Sequence, residues 1–139
     1  MIVLDTNVIS ELMRHEPDAT VFAWVDRQPR GQLYTTTIVQ AEILYGIACL
    51  AAGRQKDSLT AHARALFDEE LAGRVLPFTP DAAQAFARLA AQRRRDGRSI
   101  ARFDALIAAC ALSVGAAVAT RDLRGFEDSG LTVINPWEG

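Results

Sequence analysis

The chain has 139 residues, the size of a single domain that buries roughly two-thirds of its unfolded surface. Half of the residues are hydrophobic and 23% are charged, which excludes a disordered, collagenous or coiled-coil chain. Fifteen basic against seventeen acidic residues leave a net charge of −2, so no positive field of the whole molecule attracts nucleic acid.

In chain order, Ile2 to Leu4 is a short aliphatic run that suits a strand buried on both faces. A helix is expected from Thr6 to Arg14, and a second from Asp18, its N-cap, to Gln28. Pro29 to Gly31 punctuate the chain before a strand over Gln32 to Thr35. Ile38 to Ala52 reads as an apolar helix stopped by Gly53, and Gln55 to Ala72 as an amphipathic one stopped by Gly73. Val75 and Leu76 make a third strand closed by Pro77. Pro80 and Asp81, the latter read as a cap, open a helix to Asp96. Ser99 is placed as the cap of a last long helix to Val114, before strands at Ala116 to Ala119 and Leu131 to Ile134. Strands alternating with helices predict an α/β domain over 1–139, with a mostly parallel central sheet of about five strands flanked by helices. Sites in such sheets lie beyond the carboxyl ends of the strands, where Asp5 and Asp122 fall.

Cys49 and Cys110 sit in apolar stretches and are expected to be free, buried thiols. Two cysteines and two scattered histidines, His15 and His62, make no zinc site of usual spacing. The opening MIVLD has no basic region and reaches an acid at position five, so no signal peptide is expected. The longest nearly apolar stretch, Ala105 to Ala119, is shorter than the ~20 residues that cross a bilayer. These features lead us to expect a cytoplasmic protein without membrane attachment.

Most acids fit solvated faces, caps or turns, including Asp68, Glu69, Glu70, Glu127 and Asp128. Four do not. Asp5 ends the first strand, Glu42 shares an apolar helix only with Gln40, Asp104 is the one charge from Phe103 to Leu112, and Asp122 follows AVATR. A lone carboxylate in an apolar element is costly unless it is paired, hydrogen-bonded or bound to a metal. Each has a structural alternative: Asp5 or Asp122 as a helix cap, Glu42 or Asp104 as the partner of an arginine. Taken together, they point to a hard cation, Mg²⁺ or Mn²⁺. Such a site supports phosphoryl transfer, since the cation makes bound water more acidic and screens the phosphate from the acids. No glycine-rich phosphate loop or GxSxG elbow is present.

These segments also carry a family resemblance. IVLDTNVISELM with Pro17 and Trp24, TTTIVQAEILYGI, FDALIAACA, ATRD and GLTVINPW together resemble the PIN-domain ribonucleases of bacterial type II toxin–antitoxin modules, in the VapC and FitB-like branch. The resemblance spans the whole chain. It implies a Mg²⁺-dependent endoribonuclease (Mn²⁺ substituting) with Asp5, Glu42, Asp104 and Asp122 as its acidic quartet. Asp5 and Asp104 would be the direct metal ligands, with Thr6, Asn7 and Thr120 orienting them. It also implies an RNA substrate, a homodimer, and inhibition by a cognate antitoxin, DNA-binding and encoded nearby. One position departs: where related sequences often carry a second acid before Phe, this chain has Gly125.

Other readings fit less well. A haloacid-dehalogenase-type phosphatase needs an acid where Asn7 stands, and a receiver domain needs a late lysine, whereas Lys56 is the only one. A catalytically silent scaffold is the remaining alternative, and the intact quartet argues against it. From Arg88 to Arg102 six arginines and Asp96 make a local charge of +5. Because an acidic site repels phosphate, Arg93, Arg94, Arg95 and Arg98 are expected to be exposed and to bind the RNA backbone.

Overall fold

The structure, a computed structural model, describes residues 1–139. At its centre lies β1 (Ile2–Leu4), where Val3 and Leu4 are enclosed on both faces and leave no polar side to display. β1 pairs in parallel with β2 (Leu33–Thr36) on one side and β4 (Ala117–Ala119) on the other. β3 (Val75–Leu76) adds to β2 and β5 (Val133–Ile134) to β4, so five strands run in the order β3-β2-β1-β4-β5, all parallel. The α/β expectation of a PIN-like parallel sheet flanked by helices is borne out. Strand order reverses between β1 and β4, and sheets of this kind place their sites beyond the carboxyl ends of the strands at that point.

Seven helices flank the sheet: α1 (Thr6–Leu12), α2 (Ala19–Arg27), α3 (Thr37–Ala48), α4 (Arg54–Arg64), α5 (Pro80–Arg95), α6 (Arg102–Val114) and α7 (Leu123–Phe126). α6 is buried almost all round, and its Ala105, Ala108, Ala109 and Ala111 allow close approach to its neighbours. α4 continues to Glu70 at a wider pitch, where the Leu71 N–H reaches back to the Leu66 carbonyl at 2.8 Å. The core joins Val3, Val8, Ile9, Trp24, Val39, Ile107, Val118 and Phe126. No helix is long and apolar enough to cross a membrane.

Several expected boundaries move. α3 stops at Ala48 instead of Ala52, and β5 keeps only Val133 and Ile134 of the predicted four residues. Thr79, not Asp81, caps α5: its hydroxyl accepts from the Ala82 N–H, which leaves Asp81 in the first turn. Ser99 caps nothing, because α6 begins three residues later at Arg102 with no side-chain cap. α7 has no range in the sequence reading, but it is the helix implied by the cap role left open for Asp122. Both thiols are free, but only Cys110 is buried and Cys49 is exposed.

Candidate active site

Asp5 leaves β1 directly into α1. Its N–H bonds the Ala119 carbonyl of β4 at 3.1 Å, and its Oδ1 accepts from the Val8 N–H at 3.0 Å, so one residue ties two central strands to a helix start. The cap proposed as an alternative role for Asp5 is real, but the same buried carboxylate also takes a hydrogen bond from the Thr120 side chain. Thr120, buried beyond β4, donates its hydroxyl to Asp5 and accepts from the Asp122 N–H at 2.9 Å. Asp122 in turn caps α7, its Oδ1 accepting from the Gly125 N–H at 3.1 Å. Glu42 on α3 accepts the Thr6 hydroxyl at 2.6 Å. Thr6 and Thr120 thus sit where the acids meet, while Asn7 contributes its backbone N–H to Asp5.

The four acids interact electrostatically. Burial pushes the Asp5 carboxyl up to about 6, against the hydrogen bonds from Thr120, Val8 and Asn7, and the charge of Asp122 adds to the rise. Asp104, in the first turn of α6, is also pushed up to about 6. Burial is again the first cause, followed by the charges of Asp122, Asp5 and Glu42 and a hydrogen bond with Asp122. Residues from four separate elements therefore share one electrostatic environment. Gly125 belongs to the same place: a Cβ there would lie 2.8 Å from Asp122 Oδ2 and 3.0 Å from Asp104 Oδ2. The missing side chain is what gives the two carboxylates room.

An all-oxygen donor set without histidine or thiolate suits a hard cation. No three histidine, cysteine, aspartate or glutamate side chains are set close enough together to hold a metal ion as a ready-made group. Mg²⁺ does not need one, since it keeps several waters and takes one or two carboxylates. The residues present fit the ion.

The arginine run divides. Arg93 is not exposed, as expected from the sequence, but 4% accessible, and its Nη2 donates to the Arg124 and Gly125 carbonyls at 3.2 and 3.3 Å. It belongs to the interior, because α5 packs along α6 and turns that side chain inward to α7. Arg98 is exposed but engaged with Asp128 and Glu127. Arg94 and Arg95 remain on the surface, with Arg95 donating to Gln92 at 2.8 Å. Sequence reading also missed Arg121, whose guanidinium lies 4.2 Å from the centre of the Trp137 ring. The signal was available: ATRD and NPW both end strands that lie side by side in the sheet.

Known proteins show the same arrangement at the level of the whole chain. Residues 2–129 match the PIN domain family. The chain is 47% identical to VapC ribonuclease Y4jK of Sinorhizobium fredii and 38% identical to Toxin FitB of Neisseria gonorrhoeae, each alignment covering 99% of both chains. The solved structure of FitAB bound to an IR36 DNA fragment superposes with a TM-score of 0.91 at 38% identity, over 99% of this chain and 96% of that one. With a parallel sheet whose carboxyl edge gathers acids from β1, α3, α6 and the turn after β4, and with likeness of this extent, the chain belongs to the PIN-domain family, in its VapC and FitB branch.

Proposed function

We propose that this chain is the toxin of a type II toxin–antitoxin module, a Mg²⁺-dependent endoribonuclease in which Mn²⁺ also serves. The observation that carries the reading is the pair Asp5 and Asp104, both pushed up to about 6 within a four-acid cluster at the sheet's switch point. Groups so destabilised as anions are poised to take a cation. Asp5 and Asp104 would hold it, with Glu42 and Asp122 flanking. The cation, when bound, supplies Lewis acidity toward water and phosphate. Thr120 fixes the Asp5 carboxylate through its hydroxyl, and Thr6 does the same for Glu42. An acid of the cluster would take the proton of a water that attacks phosphorus opposite the 3′ oxygen, the P–O3′ bond would break, and the departing 3′ oxygen would take a proton from solvent. A reaction of that kind leaves a 5′-phosphate and a 3′-hydroxyl.

Arg94 and Arg95 are the members of the arginine run placed to meet the RNA backbone; Arg98 can join them only by leaving its acidic partners. The FitAB structure bound to DNA supports a cognate, DNA-binding antitoxin as one partner, and a second copy of this chain is the other partner proposed. Exposed Leu44 and Tyr45 on α3 and Phe103 on α6, helices that touch, support such a homodimer. The proposed setting is the cytoplasm. The test is cleavage of RNA by the purified protein in Mg²⁺ or Mn²⁺, its abolition by EDTA, and mass spectrometry of the ends. Cleavage that survives EDTA, or a 2′,3′-cyclic phosphate product, defeats the metal-dependent reading. Failure to cleave any RNA would favour the silent scaffold.

A further inference from the structure

A cluster of four acids repels a phosphodiester, so some fixed positive group beside it must offset that field. The arginine run supplies less of it than its sequence suggests, with Arg93 buried and Arg98 neutralised by two acids. One exposed cation lies closer in the chain to the cluster than any of these. Arg121 stands between Thr120, which holds Asp5, and Asp122 itself.

Its side chain is free of anions: the ion pairs of the molecule are Arg14–Glu11, Arg98–Glu127 and Arg98–Asp128. Instead the guanidinium rests on Trp137, 4.2 Å from the ring centre. The ring is itself fixed. Trp137 lies in a short turn, Pro136–Glu138, whose Pro136 is buried, and its N–H donates to the Asn135 side chain at 3.0 Å. That turn packs against α2. A guanidinium stacked by one face keeps its N–H edges open, and those edges match a phosphate in bidentate fashion. Holding the side chain in advance also reduces the rotamer freedom lost on binding.

We propose that Arg121, seated on Trp137, is a phosphate-binding residue that holds a single-stranded RNA backbone beside the acidic cluster. This rests on the ribonuclease reading above. In it, Trp137 is a positioning residue for Arg121, and the C-terminal NPW turn is part of the substrate-binding surface. The contact reads charge and spacing, not base identity.

The experiment measures fluorescence anisotropy of a labelled single-stranded uridine 12-mer at several KCl concentrations, with Asp104→Asn present throughout to prevent cleavage. Adding Arg121→Gln should weaken binding about tenfold and lower the salt slope by about 0.7. Adding Arg121→Lys should keep the slope and fall between the two in affinity, because charge remains while the stacked fork is lost. In the otherwise wild-type enzyme, Arg121→Gln should raise KM by more than it lowers kcat. Equal affinity and slope for the parent and Arg121→Gln overturn the proposal. So does an equal loss in the Gln and Lys variants that tracks a common drop in melting temperature, which would make Arg121 a tether for the C-terminal turn. Loss of antitoxin binding with RNA affinity unchanged would assign it to a protein partner and overturn the proposal as well. Because binding is read without turnover, absence of cleavage by the wild type defeats the ribonuclease reading separately from this one.

Discussion

Asp5 is held as an acid in surroundings that favour its neutral form. Between its ordinary value of 3.8 and about 6, the folded chain keeps a proton that the unfolded chain has released. Stability from this group is therefore fully present below 3.8 and is lost as pH rises through about 6; Asp104 behaves in the same sense. Asp5→Asn removes the charge but keeps a good helix cap. The metal-free variant should be more stable than wild type at pH 7, on the order of 1–3 kcal/mol, with the gain shrinking toward pH 4. Asp104→Asn should show a smaller gain, since that side chain is half-buried and water screens part of the repulsion. Thermal melts in EDTA across this pH range decide the point, and a variant less stable than wild type at pH 7 would contradict it. Both substitutions should abolish metal-dependent cleavage, because an amide lacks the charge that the cation requires. At subsaturating Mg²⁺ the rate should fall as pH drops through about 6, because protons compete with the cation for Asp5 and Asp104, and excess Mg²⁺ should move that fall to lower pH.

At the scale of elements, α7 is four residues long and stands only because its two ends are held. Asp122 holds the start through the Gly125 N–H, and Arg93 from α5 holds the carbonyls of Arg124 and Gly125. Arg93→Met should cost roughly 2 kcal/mol in a urea melt through lost charged hydrogen bonds and carbonyls left unpaired. It should also weaken Mn²⁺ binding by calorimetry, since α7 carries the glycine that makes room for Asp104 and Asp122. Destabilisation with unchanged Mn²⁺ affinity would separate α7 from the site. Gly125→Ala tests the same contact from the other side. The new Cβ meets the Asp122 and Asp104 carboxylates, Asp122 Cγ included at 3.3 Å, so Asp122 must turn and loosen its cap on α7: Mn²⁺ affinity should fall together with some stability. A variant that binds Mn²⁺ as tightly as wild type would show that the carboxylates need no such space.

Across the molecule, how much was readable in advance depended on how local the cause was. β1 and β4 were visible because a strand buried on both faces must be aliphatic, and Asp5 and Asp122 stood out as charges at their ends. Asp104 and Glu42 were visible as charges in apolar helices. Arg93 was not, because three consecutive arginines resemble a solvated face and only the packing of α5 on α6 sends one inward. Buried Glu11 escaped notice for a similar reason. On a seven-residue helix it looks exposed, yet it accepts from the Asp18 N–H at 3.1 Å and so ties α1 to the start of α2. If the acids form one site, a cation should stabilise the whole fold by mass action, about 2.7 kcal/mol at a hundred times its Kd. Melting temperature should rise with added Mg²⁺ and return in EDTA, and Asp5→Asn should remove the rise. An equal rise in wild type and variant would place the cation elsewhere.

The pairing of β1 with β4 joins Ile2–Leu4 to Ala117–Ala119, and Asp5 hangs from the Ala119 carbonyl. Of the sheet's pairings, this central seam therefore spans the longest stretch of chain. Contacts so distant in the chain form slowly, because a long loop must be closed before any of them contributes. During translation β2 and β3 can wait beside β1, but the β4 flank stays open until residues 117–122 have emerged. The acids that β1 and β4 carry at their ends therefore meet only once this long-range seam has closed.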